Sequence, residues 1–303
     1  MSGSPAGRAL DATPAMHETH HRRYLRFAWP ALAVSLAVIL FPWLFTLFMS
    51  VQDWKVGQDH AFTGLENYLL LARDQRFREA ILHTLWFTLL AVLLPVVFGT
   101  AAAVIFHQRF PLRGFFRGIF MMPMMATPVA IAVVWTMMFN PQIGVLNYLL
   151  SLVGIAPQMW VFHQDTVIPS LVLVEVWQWT PLVMLIVLGG LSALPTEPYE
   201  SAIIDGAGWW QMFRHITYPL VLPFIIVAAI VRGIDALKAF DTIFVISQGG
   251  PGTASETINM YLYLQAFAFY KVGFASAVVV VFFVLILALT LVLLWMRERT
   301  KWT

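Results

Sequence analysis

Apolar and polar residues occur along the chain in long blocks, and six of the apolar blocks are long enough to cross a membrane. A helix needs roughly 20 residues to span about 30 Å of hydrocarbon. The six predicted spans are Phe27–Ser50, Ala80–Phe106, Gly118–Phe139, Thr166–Leu191, Ile216–Ser247 and Phe274–Met296. This pattern predicts an all-α integral membrane fold with six transmembrane helices.

Charged residues occur in only two of these spans. Glu175 lies in span 4, and span 5 contains Arg232, Asp235, Lys238 and Asp241, so hydropathy alone supports span 5 least. Ionisable residues at membrane depth are costly and mark functional positions. Spans 4 and 5 are therefore the candidates for a polar pathway.

The segment ahead of the first span is polar. Residues 1–24 are predicted to form a disordered tail, and residues 25–303 a single transmembrane domain. Arg22, Arg23 and Arg26 precede the first span as they would precede a signal peptide core, but its apolar run is longer than the 7–15 residues of such a core. No small-x-small cleavage site follows, so the span is predicted to be an uncleaved anchor.

Composition narrows the class of protein. Of the 303 residues, 60% are hydrophobic and 11% are charged, whereas soluble domains have about 45–50% apolar and about 25% charged residues. This argues against a soluble enzyme, a disordered chain and a nucleic-acid binder. The net charge of +2 indicates no nucleic-acid partner, and the absence of cysteine excludes disulfides and thiolate sites.

The distribution of basic residues sets the predicted orientation. With six spans, both termini share one side with the loops between spans 2 and 3 and between spans 4 and 5. That side carries 11 Lys and Arg residues and the opposite side 5. Because basic residues are in excess on the cytoplasmic side of membrane proteins, both termini are predicted to be cytoplasmic.

The sequence supports neither a zinc-protease motif nor a nucleotide-binding loop. The run from His17 to His21 matches H-E-x-x-H, but it lies in a polar tail without helical periodicity, so a solvated tail is the favoured interpretation. The chain contains no Gly-Lys dipeptide and therefore no P-loop. If ATP drives this protein, another subunit must hydrolyse it.

The loop between spans 4 and 5 has a pattern of its own. Pro195 and Pro198 favour a helix start, Gly206 favours its end, and Trp209–Ile216 is predicted to form a second short amphipathic helix. This physical pattern fits two structures equally: a helical hairpin lying among the lipid headgroups, or a docking element on the cytoplasmic face.

The residues of this loop resemble the "EAA" loop of importer-type ABC permeases. The core pattern E-A-A-x-x-x-G is present as Glu200-Ser201-Ala202 and Asp205-Gly206-Ala207, with Ile216 and Pro219 in the places of I-x-x-P. Phe240-Asp241, followed by Gly249-Gly250-Pro251, resembles a second segment of carbohydrate permeases of the maltose-transporter type. Ser201 departs from the alanine of the first pattern.

The resemblance implies a type I ABC importer permease architecture with a cytoplasmic coupling helix between helices 4 and 5. The coupling loop covers residues 195–218. Carried over by position, the residues that would dock on the ATPase are Glu200, Ala202, Asp205, Gly206, Ala207 and Ile216.

The same resemblance implies the partners and the location. A permease of this family pairs with a second homologous permease, with two copies of a cytoplasmic ATPase that hold ATP and Mg, and with an extracytoplasmic solute-binding protein. It transports a carbohydrate by alternating access, lies among the lipids of the bacterial cytoplasmic (inner) membrane and has no cofactor of its own.

Polar residues of spans 4 and 5 form the predicted substrate path. Their spacing places them on one face of each helix at the same depth, where polar groups and a tryptophan suit a sugar. The path residues are Glu175, Gln178, Trp179, Leu182, Arg232, Asp235 and Ala239. Two structural interpretations stay open, a buried pair of Arg232 with Asp235 and a pair of Glu175 with Arg232 across the helices.

Two further questions remain open from the sequence. A membrane-embedded enzyme or a stand-alone carrier is the alternative class, although the spans contain no cluster of metal ligands and no clear internal repeat. The sugar cannot be named either. Arg232 would suit an acidic or phosphorylated substrate if free, and a neutral disaccharide or polyol if an acid neutralises it.

Overall fold

The computed structural model describes the backbone of residues 15–298. It describes the side chains of residues 28–295, with the exception of residue 293. Within this part the chain is almost entirely helical, with one short antiparallel pairing of β1 (Gln52–Asp53) and β2 (Ala61–Phe62). The helices are α1 Ala15–Ser50, α2 Glu66–Arg73, α3 Gln75–His107, α4 Arg113–Met125, α5 Pro128–Met138, α6 Val145–Leu152, α7 Gln164–Ser192, α8 Glu197–Ile204, α9 Trp209–Met212, α10 Tyr218–Leu237, α11 Asp241–Ile246, α12 Ile258–Tyr263 and α13 Val272–Glu298. Two π-helical turns, Phe213–Thr217 and Leu264–Ala268, lengthen α9 and α12.

Five stretches of the described helices are long and apolar enough to cross a membrane. They are Ala28–Ser50, Gln75–His107, Gln164–Ser192, Trp209–Leu237 and Val272–Val292, and α4 with α5 supplies a sixth if this bent pair is one span. The all-α prediction is therefore confirmed, and the six predicted spans correspond to five long helices and one broken one.

The third predicted span, Gly118–Phe139, is not one straight helix. Helices α4 and α5 meet at an angle of 96°. Pro128 opens α5 and has no backbone N–H, and the two residues ahead of it, Ala126 and Thr127, are extended, as is usual before proline. The bend is thus a local consequence of one proline.

The fifth predicted span, Ile216–Ser247, also differs at both ends. It begins earlier, because α9 continues through a π-helical turn into α10, so Trp209–Ile216 is not a separate helix. It ends earlier, at Leu237. The side-chain amide of Asn259 donates to the backbone carbonyls of Leu237 and Ala239, at 3.3 Å each, and so satisfies carbonyls that the break exposes.

The predicted N-terminal tail lies partly outside the described residues, because the description begins at Ala15. The backbone of residues 15–24 is helical and continuous with the first span, and the boundary between the tail and the transmembrane domain stays a prediction. The H-E-x-x-H run lies in this helical backbone, and its side chains are outside the described part.

Among the described residues, the core consists of three apolar clusters that share α3. One joins α3 to α5, α7 and α11, the second joins it to α7 and α10, and the third joins it to α2, α12 and α13. The most extensive helix pair is α3 with α7. Helix α3 is therefore the central element, and α7 lies against it along most of its length.

Close packing of α3 on α7 depends on Gly99. A Cβ at this position would lie 2.6 Å from the Cβ of Val183 and 3.0 Å from the backbone nitrogen of Met184. We expect Gly99→Val to lower stability by about 1–3 kcal/mol through overpacking. Gly189→Val is the matched control, since nothing lies within 4 Å of its Cβ. Thermal unfolding of the purified protein measures the difference, and equal transitions for the two variants would contradict this packing.

On the side opposite the 4–5 loop, ionic and hydrogen-bonded contacts hold the segment that follows α11. Arg76 donates to both carboxylate oxygens of the buried Glu256, with distances of 2.7–3.1 Å. The hydroxyl of Tyr261 donates to Asp74 at 2.6 Å, and burial, together with this carboxylate, raises the pKa of Tyr261. These contacts fasten the Gly249-Gly250-Pro251 turn to the start of α3.

Candidate functional site

The loop between the fourth and fifth long helices is built around the end of α8. The amide of Gly206 donates to the carbonyl of Ile203 at 3.1 Å, and that of Ala207 donates to the carbonyl of Ala202 at 2.9 Å. This pair of bonds is a Schellman motif, which places the residue after the helix cap in the left-handed region. Gly206 has φ of 76° accordingly. Three of the predicted coupling residues therefore form one turn.

Around this turn the loop exposes large apolar side chains. Ile204 is 85% exposed, and Ile203, Trp209 and Trp210 are exposed as well. The rings of Trp209 and Phe213 stack with centroids 5.7 Å apart and planes 9° apart. Exposed apolar side chains of this kind suit either contact with a partner or a position among the lipid headgroups, the two alternatives that the sequence leaves open. We call the residues 203, 204, 209 and 210 the loop patch.

The remaining predicted coupling residues flank the loop patch. Glu200 and Asp205 are exposed, whereas Ile216 is half-buried in the π-helical turn. The hydroxyl of Tyr199 donates to that of Thr217 at 3.1 Å and ties α8 to the base of α10. A force on α8 would therefore act directly on the long helix that follows.

A buried ion pair joins α7 to α10 at membrane depth. The Nη2 atom of Arg232 lies 2.9 Å from Oε2 of Glu175, and the two side chains are 1% and 5% exposed. Thr242 of α11 donates to the other carboxylate oxygen at 3.3 Å, and Nη2 of Arg232 lies 3.5 Å from the carbonyl of Ala91 of α3. The pair thus connects four helices.

Beside this ion pair lie an aromatic ring and polar atoms that lack a hydrogen-bond partner among the described residues. The guanidinium carbon of Arg232 lies 5.0 Å from the ring centroid of Trp179, an arrangement that favours a cation. The Nε atom of Arg232 and Oε1 of Gln178 are buried without a hydrogen-bond partner among the described residues. Gln178 is fully buried, and its Nε2 lies 3.5 Å from the carbonyl of Ala126, at the bend between α4 and α5.

Asp235 and Lys238 are exposed and do not belong to the buried pair. Their side chains are 44% and 56% exposed, and Oδ1 of Asp235 lies 3.9 Å from Nζ of Lys238. Of the two interpretations that the sequence left open, the pair of Arg232 with Asp235 is wrong, and the pair of Glu175 with Arg232 is formed. Arg232 and Asp235 are neighbours on the surface of α10, but Arg232 lies on its buried side and Asp235 on its exposed side.

The predicted path residues therefore form two groups, one buried and one accessible. Glu175, Gln178 and Arg232 are buried. The residues that remain accessible are Trp179, Leu182, Asp235 and Ala239. Sequence reasoning missed Thr242 and the carbonyl of Ala91, because only the fold brings residues from α11 and α3 beside Glu175. It also missed the exposure of Ile203 and Ile204, for which the available signal is two adjacent isoleucines on a short helix in a loop.

Metal binding finds no support in the described side chains, where no three His, Cys, Asp or Glu residues lie close enough to hold an ion. The geometry offers instead an exposed apolar loop at one end of the bundle and a partly accessible polar site in its middle.

Comparison with known proteins places this geometry among transport proteins. Residues 95–301 match the family model described as "Binding-protein-dependent transport system inner membrane component". A probable ABC transporter permease protein of Sinorhizobium fredii is 35% identical over 272 residues, which cover 89% of this chain and 88% of that protein. A trehalose/maltose transport system permease protein of Thermococcus litoralis is 36% identical over 245 residues, covering 80% and 82%.

Solved structures show the same fold. A chain of a bacterial ABC transporter involved in the import of the acidic polysaccharide alginate superposes with a TM-score of 0.81. The match covers 94% of this chain and 99% of that one, at 22% identity. The architecture is thus that of a type I ABC importer permease, as the sequence predicts.

Proposed function

The chain belongs to the family of binding-protein-dependent transport system inner membrane components, and from this membership we propose that it is the permease subunit of an ATP-driven carbohydrate importer. The relative named as a trehalose/maltose permease, at 36% identity over 80% of the chain, supports a sugar or polyol as substrate. The observation that carries the proposal is the buried Glu175–Arg232 pair between α7 and α10, with the accessible Trp179 beside it.

Ionisable residues at membrane depth are costly and mark functional positions. Arg232 lies about 21 Å along α10 from Tyr218 at 1.5 Å per residue, within the roughly 30 Å of hydrocarbon that a spanning helix crosses. Asp235 and Lys238 lie close to the far edge of that layer, where the helix ends. A buried polar site at this depth, with an accessible tryptophan beside it, suits a pathway for a sugar, and a second homologous permease would form the other half of that pathway.

The loop patch is the proposed contact with a cytoplasmic ATPase. Its exposed apolar residues and the rigid turn at Gly206 suit insertion into a groove of a partner. The importer would contain two ATPase copies, which hold ATP and Mg, and an extracytoplasmic binding protein that delivers the sugar. In this arrangement both termini face the cytoplasm, and the protein lies in the cytoplasmic (inner) membrane of a bacterium.

Transport then follows from the position of α7 and α10 on either side of the loop. Helix α7 leads into α8, and Tyr199 ties α8 to the base of α10. Movement of the loop on ATP binding would shift both helices, and with them the polar site between them. Alternating access by rocking of two bundles requires such a rigid connection.

Trp179 provides a test of the substrate path. If its ring stacks on the sugar, Trp179→Ala removes about 1–1.5 kcal/mol of binding and raises the KM of uptake roughly tenfold. Trp177→Ala is the matched control, because Trp177 lies on the same helix but packs against Trp135, with ring centroids 5.8 Å apart. Uptake kinetics in vesicles measure both variants. An unchanged KM for Trp179→Ala, or an equal rise in both, would remove Trp179 from the path.

A further inference from the structure

The segment between α5 and α7 has an apolar face that the rest of the described chain leaves uncovered. Four apolar or aromatic residues of α6 are exposed at the spacing i, i+3, i+4 and i+7, so they share one side of the helix. With the exposed residue just ahead of α6 they form what we call the α6 patch: Ile143, Val145, Tyr148, Leu149 and Leu152. Such a face normally packs on a core, so here something outside the chain must cover it.

Asn147, on the other side of α6, keeps the α6 patch on the outer surface. Its side-chain nitrogen donates to the carbonyls of Pro141 and Gln158, at 3.0 Å each. Its side-chain oxygen accepts from the backbone amide of Gln158 at 3.0 Å and from the ring nitrogen of Trp160 at 2.9 Å. Asn147 is buried, and these four bonds use the full hydrogen-bonding capacity of its amide. They close the segment into a loop that holds its apolar face outward.

This closed loop lies at the level where α7 begins. The hydroxyl of Thr166, in the first turn of α7, donates to the carbonyl of Trp160 at 2.6 Å. Helix α7 has 29 residues and is therefore about 43 Å long at 1.5 Å per residue. A bilayer with its headgroups is about 40–45 Å thick, so a helix of this length that crosses it begins among the headgroups. The α6 patch thus lies near the boundary between lipid and water.

Charge distinguishes this segment from the other two connections on the same side of the bundle. Residues 118–162 contain no Asp, Glu, Lys, Arg or His, whereas residues 51–79 and 248–271 contain charged residues of both signs. Reversible protein interfaces are about as apolar as the remaining protein surface and have a polar rim. The only polar side-chain group of the α6 patch is the hydroxyl of Tyr148. This composition suits acyl chains, with the tyrosine hydroxyl among the headgroups.

We propose that the α6 patch is embedded in the lipid leaflet on the side of the membrane opposite the loop between α7 and α10. Its apolar face would lie about 5–10 Å deep, at the boundary of headgroups and acyl chains. The partner of this surface is phospholipid, and the anchored loop holds the start of α7 at a fixed depth through Trp160. The proposal goes beyond the transport of a carbohydrate and does not depend on which solute is carried.

Fluorescent labels on single cysteines test this position. The chain contains no cysteine, so Leu149→Cys and Leu152→Cys each provide one labelling site. Asp59→Cys, in the exposed connection between β1 and β2, is the matched control. The labelled permease is placed in vesicles of phosphatidylethanolamine and phosphatidylglycerol, both alone and assembled with its partner subunits. A lipid with a doxyl spin label near the top of its acyl chain quenches labels in lipid, and iodide quenches labels in water.

We expect the doxyl lipid to quench both patch labels at least about threefold more than the control label. Iodide should quench the control label more than the patch labels, with and without the partner subunits. Iodide quenching of the patch labels equal to that of the control would overturn the proposal and place the patch in water. Loss of the lipid quenching on assembly would also overturn it, with the second permease as the partner. Shielding of the patch labels from iodide only after the binding protein is added would overturn it in favour of that protein.

Discussion

Gly206→Asp is expected to abolish ATP-coupled uptake while the permease still reaches the membrane. Gly206 has φ of 76° and closes the Schellman turn after α8. Aspartate tolerates the left-handed region better than most residues, so backbone strain accounts for only part of the effect. Nothing lies within 4 Å of a Cβ at this position, and the new carboxylate would project from the loop into the proposed ATPase contact.

A charge without a partner in an interface costs several kcal/mol, so uptake should fall at least about a hundredfold. Uptake and ATPase binding are measured on the same membranes. Gly114→Asp is the matched control, since Gly114 lies on α4, has no neighbour within 4 Å of its Cβ, and is exposed. Uptake at the unmodified rate in Gly206→Asp would remove the coupling assignment.

Removing one partner of the Glu175–Arg232 pair is expected to destabilise the folded permease by about 3–5 kcal/mol. Either single alanine variant leaves a charge that is almost fully buried at the junction of α3, α7, α10 and α11. Because proteins are stable by only about 5–15 kcal/mol, most of the Glu175→Ala or Arg232→Ala protein should be lost from a monodisperse preparation.

The double variant Glu175→Gln with Arg232→Met tests whether the charge is the cause. It removes both charges and nearly keeps the volumes, and such replacements are often neutral. Most of the folded protein should therefore be recovered. Thr242→Val removes only the 3.3 Å hydrogen bond to Glu175 and should cost about 1 kcal/mol. Thermal unfolding measures all four variants, and single variants as stable as the unmodified protein would contradict a structural role for the pair.

Two local signals in the sequence mark where helices end or bend, although only the first of them entered the predicted elements. Asp205-Gly206 predicts the turn that ends α8, because glycine is the residue that adopts a positive φ without strain. Pro128 carries the signal for the bend between α4 and α5, since proline and its preceding residue disfavour a continuous helix. Hydropathy alone does not predict the bend, because α4 and α5 are both apolar.

The polar site was predictable only in part. Helical spacing brought Glu175, Gln178 and Trp179 to one region of α7, and it left two partners open for Arg232. Which acid pairs with Arg232 depends on how α10 is rotated against α7, and packing around the whole bundle sets that rotation. The contact of Thr242 with Glu175 depends further on the end of α10 at Leu237. The carbonyl of Leu237 accepts a hydrogen bond from Asn259, which lies in a distant segment of the chain.

The central claim is that this chain conducts a carbohydrate only as part of an ATP-driven assembly. The most direct measurement is uptake into vesicles that contain this permease with its second permease and ATPase subunits, with ATP inside and the binding protein outside. The account predicts sugar accumulation that stops when ATP, the ATPase or the binding protein is omitted. Accumulation by this chain without an ATPase would contradict it and indicate a stand-alone carrier.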